Sequence, residues 1–270
     1  MRTISTLARR TLLGLAAAAA LAATVPAHAQ TVLKVGATAV PHAELLNHVK
    51  PQLKAEGIDL QVVEFSDYVQ PNLAVNDKQL DANFFQHTPY LNTFNKDRKT
   101  SLQVVPSGEV HVEPFGVYSR KVKALKDVKE GATVAIPNDP TNGGRALLLL
   151  QAAGLIQLKD PKNLTATALD VSSNPKKLRF RELEAAQLPR ALDDVDLALI
   201  NTNYALQAKL NPLTDALLLE DKQSPYVNVI VARPDNAQSP ALAKLTAALR
   251  TPAVKQFILD KYKGAVVPAF

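Results

Sequence analysis

Short apolar segments alternate with amphipathic segments along most of the chain, and this alternation limits the possible folds more than any other feature. Helices with a single apolar stripe are predicted from about Pro41 to Gly57 and over 145–153, where Gly154 stops the second. Six apolar segments of strand length lie around them: 32–35, 60–65, 132–136, 178–183, 196–200 and 226–232. Strand–helix alternation of this kind predicts an α/β fold with mostly parallel sheets covered on both faces.

Three helix starts are marked by a hydroxyl residue followed by proline. The pairs are Thr88-Pro89, Ser239-Pro240 and Thr251-Pro252. A hydroxyl side chain at the N-cap accepts a hydrogen bond from a free backbone N–H, and proline fits the first helical position. Helices are therefore predicted to begin at these three points.

The order of the segments predicts two sheets. The first uses strands before about residue 117, and the second uses those from 132 to 200. The apolar segment at 226–232 and two helices then finish the chain, so the chain is expected to return to the first sheet. Crossovers are predicted near 115–118 and 225–229. Two lobes joined by two strands form a hinged cleft.

The first 29 residues have the pattern of a secretory signal peptide. Arg2, Arg9 and Arg10 precede an apolar stretch at 11–23, and Ala27-His28-Ala29 is a small-x-small cleavage site. At 1.5 Å per residue, this apolar stretch is too short to span about 30 Å of hydrocarbon. We expect cleavage after Ala29 and export, with Arg9-Arg10 leaving both the general secretory and the twin-arginine routes open.

Charge and cysteine content exclude several classes of function. The chain carries 31 basic and 25 acidic residues, a net charge of +6, but the leader contributes three arginines and no acid, which leaves +3. The remaining lysines are interleaved with acids, as in 123–130, so no basic stripe for nucleic acid is predicted. The absence of cysteine excludes disulfides, thiolate metal sites, cysteine nucleophiles and a cysteine-linked lipid anchor.

Five stretches combine polar and aromatic residues where a packed strand or helix does not need them. They are 67–72, 81–90, 111–115, 137–145 and 201–204. Each follows a predicted strand or lies on a strand-to-helix loop. Ligands of open α/β sheets bind beyond the carboxyl ends of the strands, so these stretches are the candidate site.

The stretch at 137–145 carries the clearest chemistry. We expect a polar loop containing Asn142, then Gly143-Gly144, then a helix with Arg145 in its first turn. A helix N-terminus attracts anions, glycines allow close approach to the backbone, and arginine suits a bidentate carboxylate contact. No Lys-Ser/Thr follows the glycines, so this is not a phosphate-binding loop. Ordinary Asn/Asp/Pro turn chemistry is an equal alternative.

The aromatic residues at 81–90 also have two interpretations. Phe85 could be a core residue, with His87 simply preceding the Thr88 cap. Alternatively, Phe85, His87 and Tyr90 form an aromatic wall, joined by Tyr68, for an apolar and polarizable ligand side chain. The residues alone do not decide between them.

Enzyme and metal functions have little support. His42, His48, His87 and His111 are dispersed in the sequence, without the short His-x-x-x-His spacing of common metal sites. No Gly-x-Ser-x-Gly elbow is present. We therefore expect no catalytic residue, no metal and no cofactor.

Taken as a set, the candidate stretches resemble the methionine-binding proteins of ABC importers, the NlpA-type group of periplasmic substrate-binding proteins. The resemblance covers nearly the whole chain after the leader. Its most specific pieces are DANFFQHTPYL (81–91), PNDPTNGGRALLLLQ (137–151), LEAAQLPRALDD (183–194), INTNYA (200–205) and SPYVNVIV (224–231).

The resemblance implies a two-lobed periplasmic-binding-protein fold of type II-like architecture, with two mixed sheets flanked by helices and joined by two hinge crossovers. On this basis the signal peptide is 1–29. Lobe 1 comprises 30–116 and 228–270, and lobe 2 comprises 117–227.

The resemblance also implies a binding function for methionine in the cleft between the lobes. The residues carried over for the side-chain pocket are Tyr68, Phe85, His87 and Tyr90. Those for the charged groups are Asn142 and Arg145 at the carboxylate, and Asn201 at the amino or carboxylate group. Glu113 is expected as a hinge or gate residue, and Asn203 falls where the match is looser and receives no role.

The chain differs from many members of this group in its cleavage region, 25–30, which has no lipobox cysteine. We expect a monomer without a lipid anchor, released into the periplasm, that delivers methionine to the membrane permease of an ABC importer. D-Methionine, a methionine-containing dipeptide or another apolar amino acid is the alternative ligand. An exported enzyme or an adhesion protein is a more distant alternative.

Overall fold

The computed structural model describes residues 30–221 and 224–270, so the predicted signal peptide lies outside the described residues. The strands are β1 Thr31–Thr38, β2 Ile58–Phe65, β3 Ala82–His87, β4 Gln103–Val112, β5 Gly116–Tyr118, β6 Thr133–Pro137, β7 Gln157–Leu158, β8 Val171–Ser173, β9 Arg179–Leu183, β10 Leu197–Ile200, β11 Ala216–Leu219, β12 Val227–Ala232 and β13 Val267–Pro268. The α-helices are α1 Glu44–Ala55, α2 Gln70–Asn76, α3 Thr88–Arg98, α4 Pro140–Ala152, α5 Thr202–Gln207, α6 Pro212–Asp215, α7 Pro240–Leu249 and α8 Pro252–Tyr262.

The larger sheet has the strand order β13-β4-β12-β3-β1-β2. Strand β1 runs parallel to β2 and β3, whereas β12 runs antiparallel to β3 and β4. Helices α1, α7 and α8 supply buried residues to the core beside this sheet, among them Leu45, Leu245 and Ile258. The apolar stripe of α1 ends near Gly57, whose φ of +81° suits glycine and stops the helix as predicted.

The second sheet has the order β11-β5-β10-β6-β9. Strand β6 runs parallel to β9 and β10, and β5 runs antiparallel to β10 and β11. Helix α4 packs Leu147 and Leu150 against Val134 and Leu199 of this sheet. The predicted α/β fold with two mixed sheets is confirmed. The expectation of mostly parallel pairing is wrong, because the strands beside the crossovers, β4, β5, β11 and β12, pair antiparallel.

The chain passes between the sheets twice. It leaves the larger sheet after β4 through 113–115, and it returns from β11 to β12 through 220–226, of which 222 and 223 are not described. The two crossovers lie side by side, since the Glu220 N–H donates to the Phe115 carbonyl at 2.8 Å. Among the described residues, no helix combines the length and the apolar character needed to cross a membrane.

Two of the three predicted helix caps are confirmed. The Ser239 and Thr251 side chains accept hydrogen bonds from the backbone N–H groups of Leu242 and Val254. The prediction at Thr88 is wrong by one residue. His87 is the N-cap of α3, because its backbone is still extended and its Nδ1 accepts from the Tyr90 N–H at 3.2 Å.

Helix α4 begins at Pro140, five residues earlier than predicted. Asp139 is the N-cap, and its carboxylate accepts from the Asn142 N–H at 2.9 Å. The two glycines therefore lie inside the helix. At Gly144 the close approach comes from the chain itself, because an added Cβ would lie 2.3 Å from the Leu164 carbonyl oxygen. The prediction that these glycines admit a ligand is wrong for Gly144.

Gly144→Ala is therefore expected to destabilise the protein, although alanine is the better helix former. The methyl group would meet backbone atoms of Leu164 and Ala166, which no rotamer change can move away. We expect a loss of about 1–3 kcal/mol, measured by urea unfolding. Gly143→Ala is the graded comparison, since its Cβ would meet a single atom, the Pro137 oxygen at 2.9 Å. A Gly144→Ala variant as stable as the wild type would contradict this account.

Candidate ligand-binding site

A cavity lies where the two sheets face each other. All seven predicted site residues line it: Tyr68, Phe85, His87, Tyr90, Asn142, Arg145 and Asn201. Five other residues line it as well: Glu113, which was expected as a hinge or gate residue, and Gln86, Thr202, Asn203 and Asn228, which the sequence did not assign.

Both lobes contribute to the lining because polar residues follow strand ends on each side. Phe85 and His87 lie on β3 of the larger sheet, and Tyr68 lies in the segment after β2. Asn142 and Arg145 lie on α4, beyond the end of β6, and Asn201 directly follows β10. The cavity is thus at the carboxyl ends of strands, as predicted for ligand sites of such sheets.

One side of the cavity is an aromatic wall of Tyr68, Phe85 and Tyr90. The ring centroids of these residues lie 5.8–5.9 Å apart, and Tyr90 meets both other rings edge-on. The Tyr90 hydroxyl donates to the Tyr68 carbonyl at 2.8 Å, which fixes the wall. The two interpretations of these aromatics are therefore not exclusive, because the rings pack on one another and also line the cavity.

Asn142 and His87 join the lobes across the cavity. Asn142 Oδ1 accepts from Asn201 Nδ2 at 2.8 Å and contacts His87 Nε2 at 3.2 Å. Since His87 Nδ1 accepts from the Tyr90 N–H, its proton is on Nε2. Burial is the main cause that lowers the pKa of His87 to about 3, and the nearby Arg145 charge adds to it. His87 is therefore a neutral hydrogen-bond donor at neutral pH.

Two buried amide atoms in the cavity have no hydrogen-bond partner among the described residues. They are the acceptor Asn201 Oδ1 and the donor Asn203 Nδ2. The other end of the Asn203 amide is used, because Oδ1 accepts from the Tyr68 hydroxyl at 2.6 Å. Buried polar atoms are normally paired, so this acceptor and this donor are suited to a polar ligand.

Arg145 is buried and is held mainly by residues of the two crossovers. Its Nε donates to Glu220 Oε1 at 3.0 Å, and Nη2 donates to Glu220 Oε2 and to the Glu113 carbonyl. The guanidinium also lies over the rings of Tyr226 and Phe115, at 4.1 and 5.1 Å. These bonds occupy Nε and Nη2, so Nη1 is the nitrogen that they leave for a ligand carboxylate. The expected free bidentate fork is therefore partly used by Glu220.

Glu113 places a carboxylate in the cavity wall beside two buried histidines. Its Oε1 lies 2.8 Å from His111 Nε2 and 3.2 Å from His42 Nε2, and His42 Nε2 also lies 3.1 Å from Asn228 Oδ1. These side chains are among the potential metal ligands, with donor atoms within 4.8 Å of one another. The contacts have the lengths of hydrogen bonds.

His42 and His111 are far apart in the sequence, and the fold brings them together with ring centroids 5.0 Å apart. Burial lowers the pKa of His42 to about 4 and that of His111 to about 3. Burial also raises the pKa of Glu113, while the neighbouring His42 and Arg145 act in the opposite direction. The chain therefore offers a carboxyl group held by two neutral imidazoles.

The lining of the site combines charged, polar and apolar groups. It provides one cation, Arg145, one carboxyl group, Glu113, two unpaired amide atoms and the aromatic wall. This arrangement complements a small molecule with a carboxylate, an ammonium group and an apolar side chain.

Comparisons with known proteins agree with this architecture. The chain is 48% identical over 213 residues to the D-methionine-binding lipoprotein MetQ of Escherichia coli K12, covering 78% of each chain. It is 44% identical over 251 residues to outer membrane lipoprotein 2 of Mannheimia haemolytica, covering 93% of this chain and 90% of that one. The solved structure of a nutrient binding protein from Burkholderia cenocepacia, bound to methionine, matches with a TM-score of 0.85 and 48% identity, over 88% of this chain and all of that chain.

A family model provides the most general of these matches. It is described as NlpA lipoprotein, and it matches residues 33–270, which is nearly all of the chain that follows the predicted leader. With relatives of this identity and coverage, the chain belongs to the NlpA lipoprotein family.

Proposed function

We propose that this protein is an extracytoplasmic solute-binding protein that captures methionine between its lobes and delivers it to an ABC importer. The observation that carries the proposal is a cavity lined by a cation, a carboxyl group and an aromatic wall. The proposed lobes are 30–116 with 228–270, and 117–227.

Each end of the ligand has its own partners in this proposal. The ligand carboxylate meets Arg145 Nη1 and the free Nδ2 of Asn203, and the ammonium group meets Glu113 and the free Oδ1 of Asn201. The methionine side chain packs on Tyr68, Phe85 and Tyr90, with sulfur–aromatic contacts of about 0.3–1.5 kcal/mol each.

Two hydrogen bonds between the lobes support a mechanism in which the lobes close on the ligand. The Tyr68 hydroxyl donates to Asn203 Oδ1 at 2.6 Å, and the Tyr204 hydroxyl donates to the Ser66 carbonyl at 2.9 Å. Both bonds join the segment after β2 to α5, so they form only when the lobes are together. A ligand that contacts both lobes shifts the equilibrium toward this closed form.

The names of the relatives support methionine as the ligand and leave its stereochemistry open. The E. coli relative is named for D-methionine, and the B. cenocepacia structure holds methionine. A methionine-containing dipeptide or another apolar amino acid is the second candidate. We propose no enzymatic step and no cofactor.

We further propose that the protein acts in the periplasm as a monomer without a lipid anchor, after removal of the leader at Ala29. Its partner is then the membrane permease of an ABC importer. The E. coli and M. haemolytica relatives are named lipoproteins, whereas this chain contains no cysteine to which a lipid could be joined.

The proposal predicts that methionine raises the melting temperature of the ligand-stripped protein more than other amino acids do. At a concentration 1,000 times the Kd, the added stability is about 4 kcal/mol. We suggest mass spectrometry of the co-purifying ligand, then thermal-shift and calorimetric titration with L-methionine, D-methionine, leucine and norleucine. Tryptophan fluorescence cannot be used, since the chain has no tryptophan. A protein that no amino acid stabilises would contradict the proposal.

A further inference from the structure

Two buried imidazoles converge on one of the two carboxyl oxygens of Glu113. His111 and His42 both approach Oε1 through Nε2, at 2.8 and 3.2 Å. These two contacts leave Oε2 for other partners, and Glu113 lines the cavity. The Asn203 backbone N–H also donates to this carboxyl group, so Glu113 is fixed in the cavity wall by two imidazoles and one backbone N–H.

The proton of His42 can be placed from its neighbours. The Thr38 hydroxyl lies 2.7 Å from His42 Nδ1, and Nε2 faces the acceptors Glu113 Oε1 and Asn228 Oδ1. Two acceptors at Nε2 require the proton there, so Thr38 donates to Nδ1. His111 has one such contact, from Nε2 to Glu113, and its buried Nδ1 has no partner in the described part of the chain. Both imidazoles thus serve as Nε2–H donors.

Packing fixes the two rings in this orientation. Phe84 meets His42 edge-on at 4.7 Å and His111 at 5.3 Å between ring centroids. Phe84, His42 and His111 are almost completely buried. The three come from β3, from the segment between β1 and α1, and from β4, so the larger sheet itself sets the geometry.

We infer that His42 and His111 are positioning residues that fix Glu113 as the anionic side of the cavity, and that they thereby make a free ammonium group a requirement for its ligands. The inference rests on the proposed function, because it refines which part of the ligand each residue recognises. Two Nε2–H donors at Oε1 fix the orientation of the carboxyl group and oppose the effect of burial, which raises its pKa. An ionised carboxylate inside a cavity favours a cation beside it and penalises ligands that lack one.

The test compares ligands that differ only at the amino or the carboxylate group: L-methionine, methioninamide and 4-(methylthio)butanoate, which lacks the amino group. In His111→Leu and His42→Leu, we expect affinity for the first two to fall about 10- to 100-fold. The affinity for the des-amino ligand should change by less than about threefold. The conservative variants His111→Gln and His42→Gln retain a donor and should recover most of the affinity. His48→Leu, which removes an exposed histidine on α1, is the matched control.

A second measurement needs no ligand and no substitution. Nitrogen-15 NMR of the wild-type protein should show His42 and His111 as neutral Nε2–H tautomers at pH 7. An Nδ1–H tautomer at either residue would overturn the inference. So would stoichiometric Zn²⁺ retained after dialysis by the wild type but not by Glu113→Gln, since the Nε2 atoms would then bind an ion.

The ligand comparison separates the two proposals. A wild-type protein that binds none of the three ligands contradicts the proposed function. In that case the nitrogen-15 NMR measurement still tests the tautomers of His42 and His111. A wild type that binds methionine, with leucine variants that weaken all three ligands equally, contradicts only the inference, because the histidines would then act through general packing.

Discussion

Arg145→Ala is expected to remove methionine binding and also to destabilise the ligand-free protein. The first effect is the loss of a charge-assisted contact to the ligand carboxylate, on the order of 1.5–3 kcal/mol. The second arises from Glu220, whose side chain is 17% exposed and would lose its bidentate partner. Breaking a buried ion pair by removing one member costs about 3–5 kcal/mol, and the partial exposure of Glu220 places this case at the lower end.

The double variant Arg145→Met/Glu220→Gln separates the two effects. It removes both charges and keeps side chains of similar length, so we expect most of the stability to return while methionine binding stays lost. Urea unfolding of the ligand-free proteins measures the first effect, and calorimetric titration measures the second.

A matched control is Arg120→Ala, which breaks an ion pair with Asp193 whose side chains are 56% and 69% exposed. The change in stability there should stay within about 1 kcal/mol. Unchanged methionine affinity in Arg145→Ala would show that the carboxylate is bound elsewhere. A double variant as unstable as Arg145→Ala would show that Glu220 is not the source of the instability.

The fold could be predicted well wherever local pattern and tertiary packing agree. The apolar segments became strands, and Ser239 and Thr251 became helix caps, because their signals depend on neighbouring residues. The start of α4 was missed because Gly143 and Gly144 have low helix propensity. Their place in the helix is explained by the backbone near Leu164, about twenty residues away, and no local pattern shows that contact.

The candidate site also consists of residues that the sequence could indicate and residues that only the fold brings together. The seven assigned residues lie in stretches that stood out by their polar and aromatic residues. The resemblance to a known family supplied their roles, and the fold brings all seven to one cavity. The residues that the sequence did not assign reach the site through contacts between distant parts of the chain. Glu220 meets Arg145 from 75 positions away, because the two crossovers run side by side. His42 and His111 meet only because the larger sheet brings the end of β4 beside the segment that follows β1.

Acidification is expected to destabilise the ligand-free protein steeply, because three buried histidines resist protonation in the folded state. The pKa values of His42, His87 and His111 are lowered from 6.5 to about 4, 3 and 3. Between about pH 6.5 and 4, the unfolded chain binds protons at these residues and the folded protein does not. The free energy of unfolding therefore falls as the pH falls, by about 1.4 kcal/mol per pH unit for each histidine.

Glu113 and Asp139 act in the opposite direction, since burial raises the pKa of both carboxyl groups. They bind protons in the folded state first, so the observed slope should lie below the about 4 kcal/mol per pH unit of three histidines alone. Urea unfolding of the ligand-free protein at several pH values between 7.5 and 4.5 measures this slope.

The variant His111→Gln isolates the contribution of one histidine to this pH dependence of the unfolding free energy. It keeps a hydrogen-bond donor to Glu113 and removes one titrating group, so the slope near pH 5 should fall by about 1.4 kcal/mol per pH unit. His48→Gln, at an exposed position on α1, should leave the slope unchanged. If His111→Gln has the wild-type slope, His111 is already protonated in the folded protein at pH 5. Its contact with Glu113 would then be an ion pair rather than a hydrogen bond from a neutral ring.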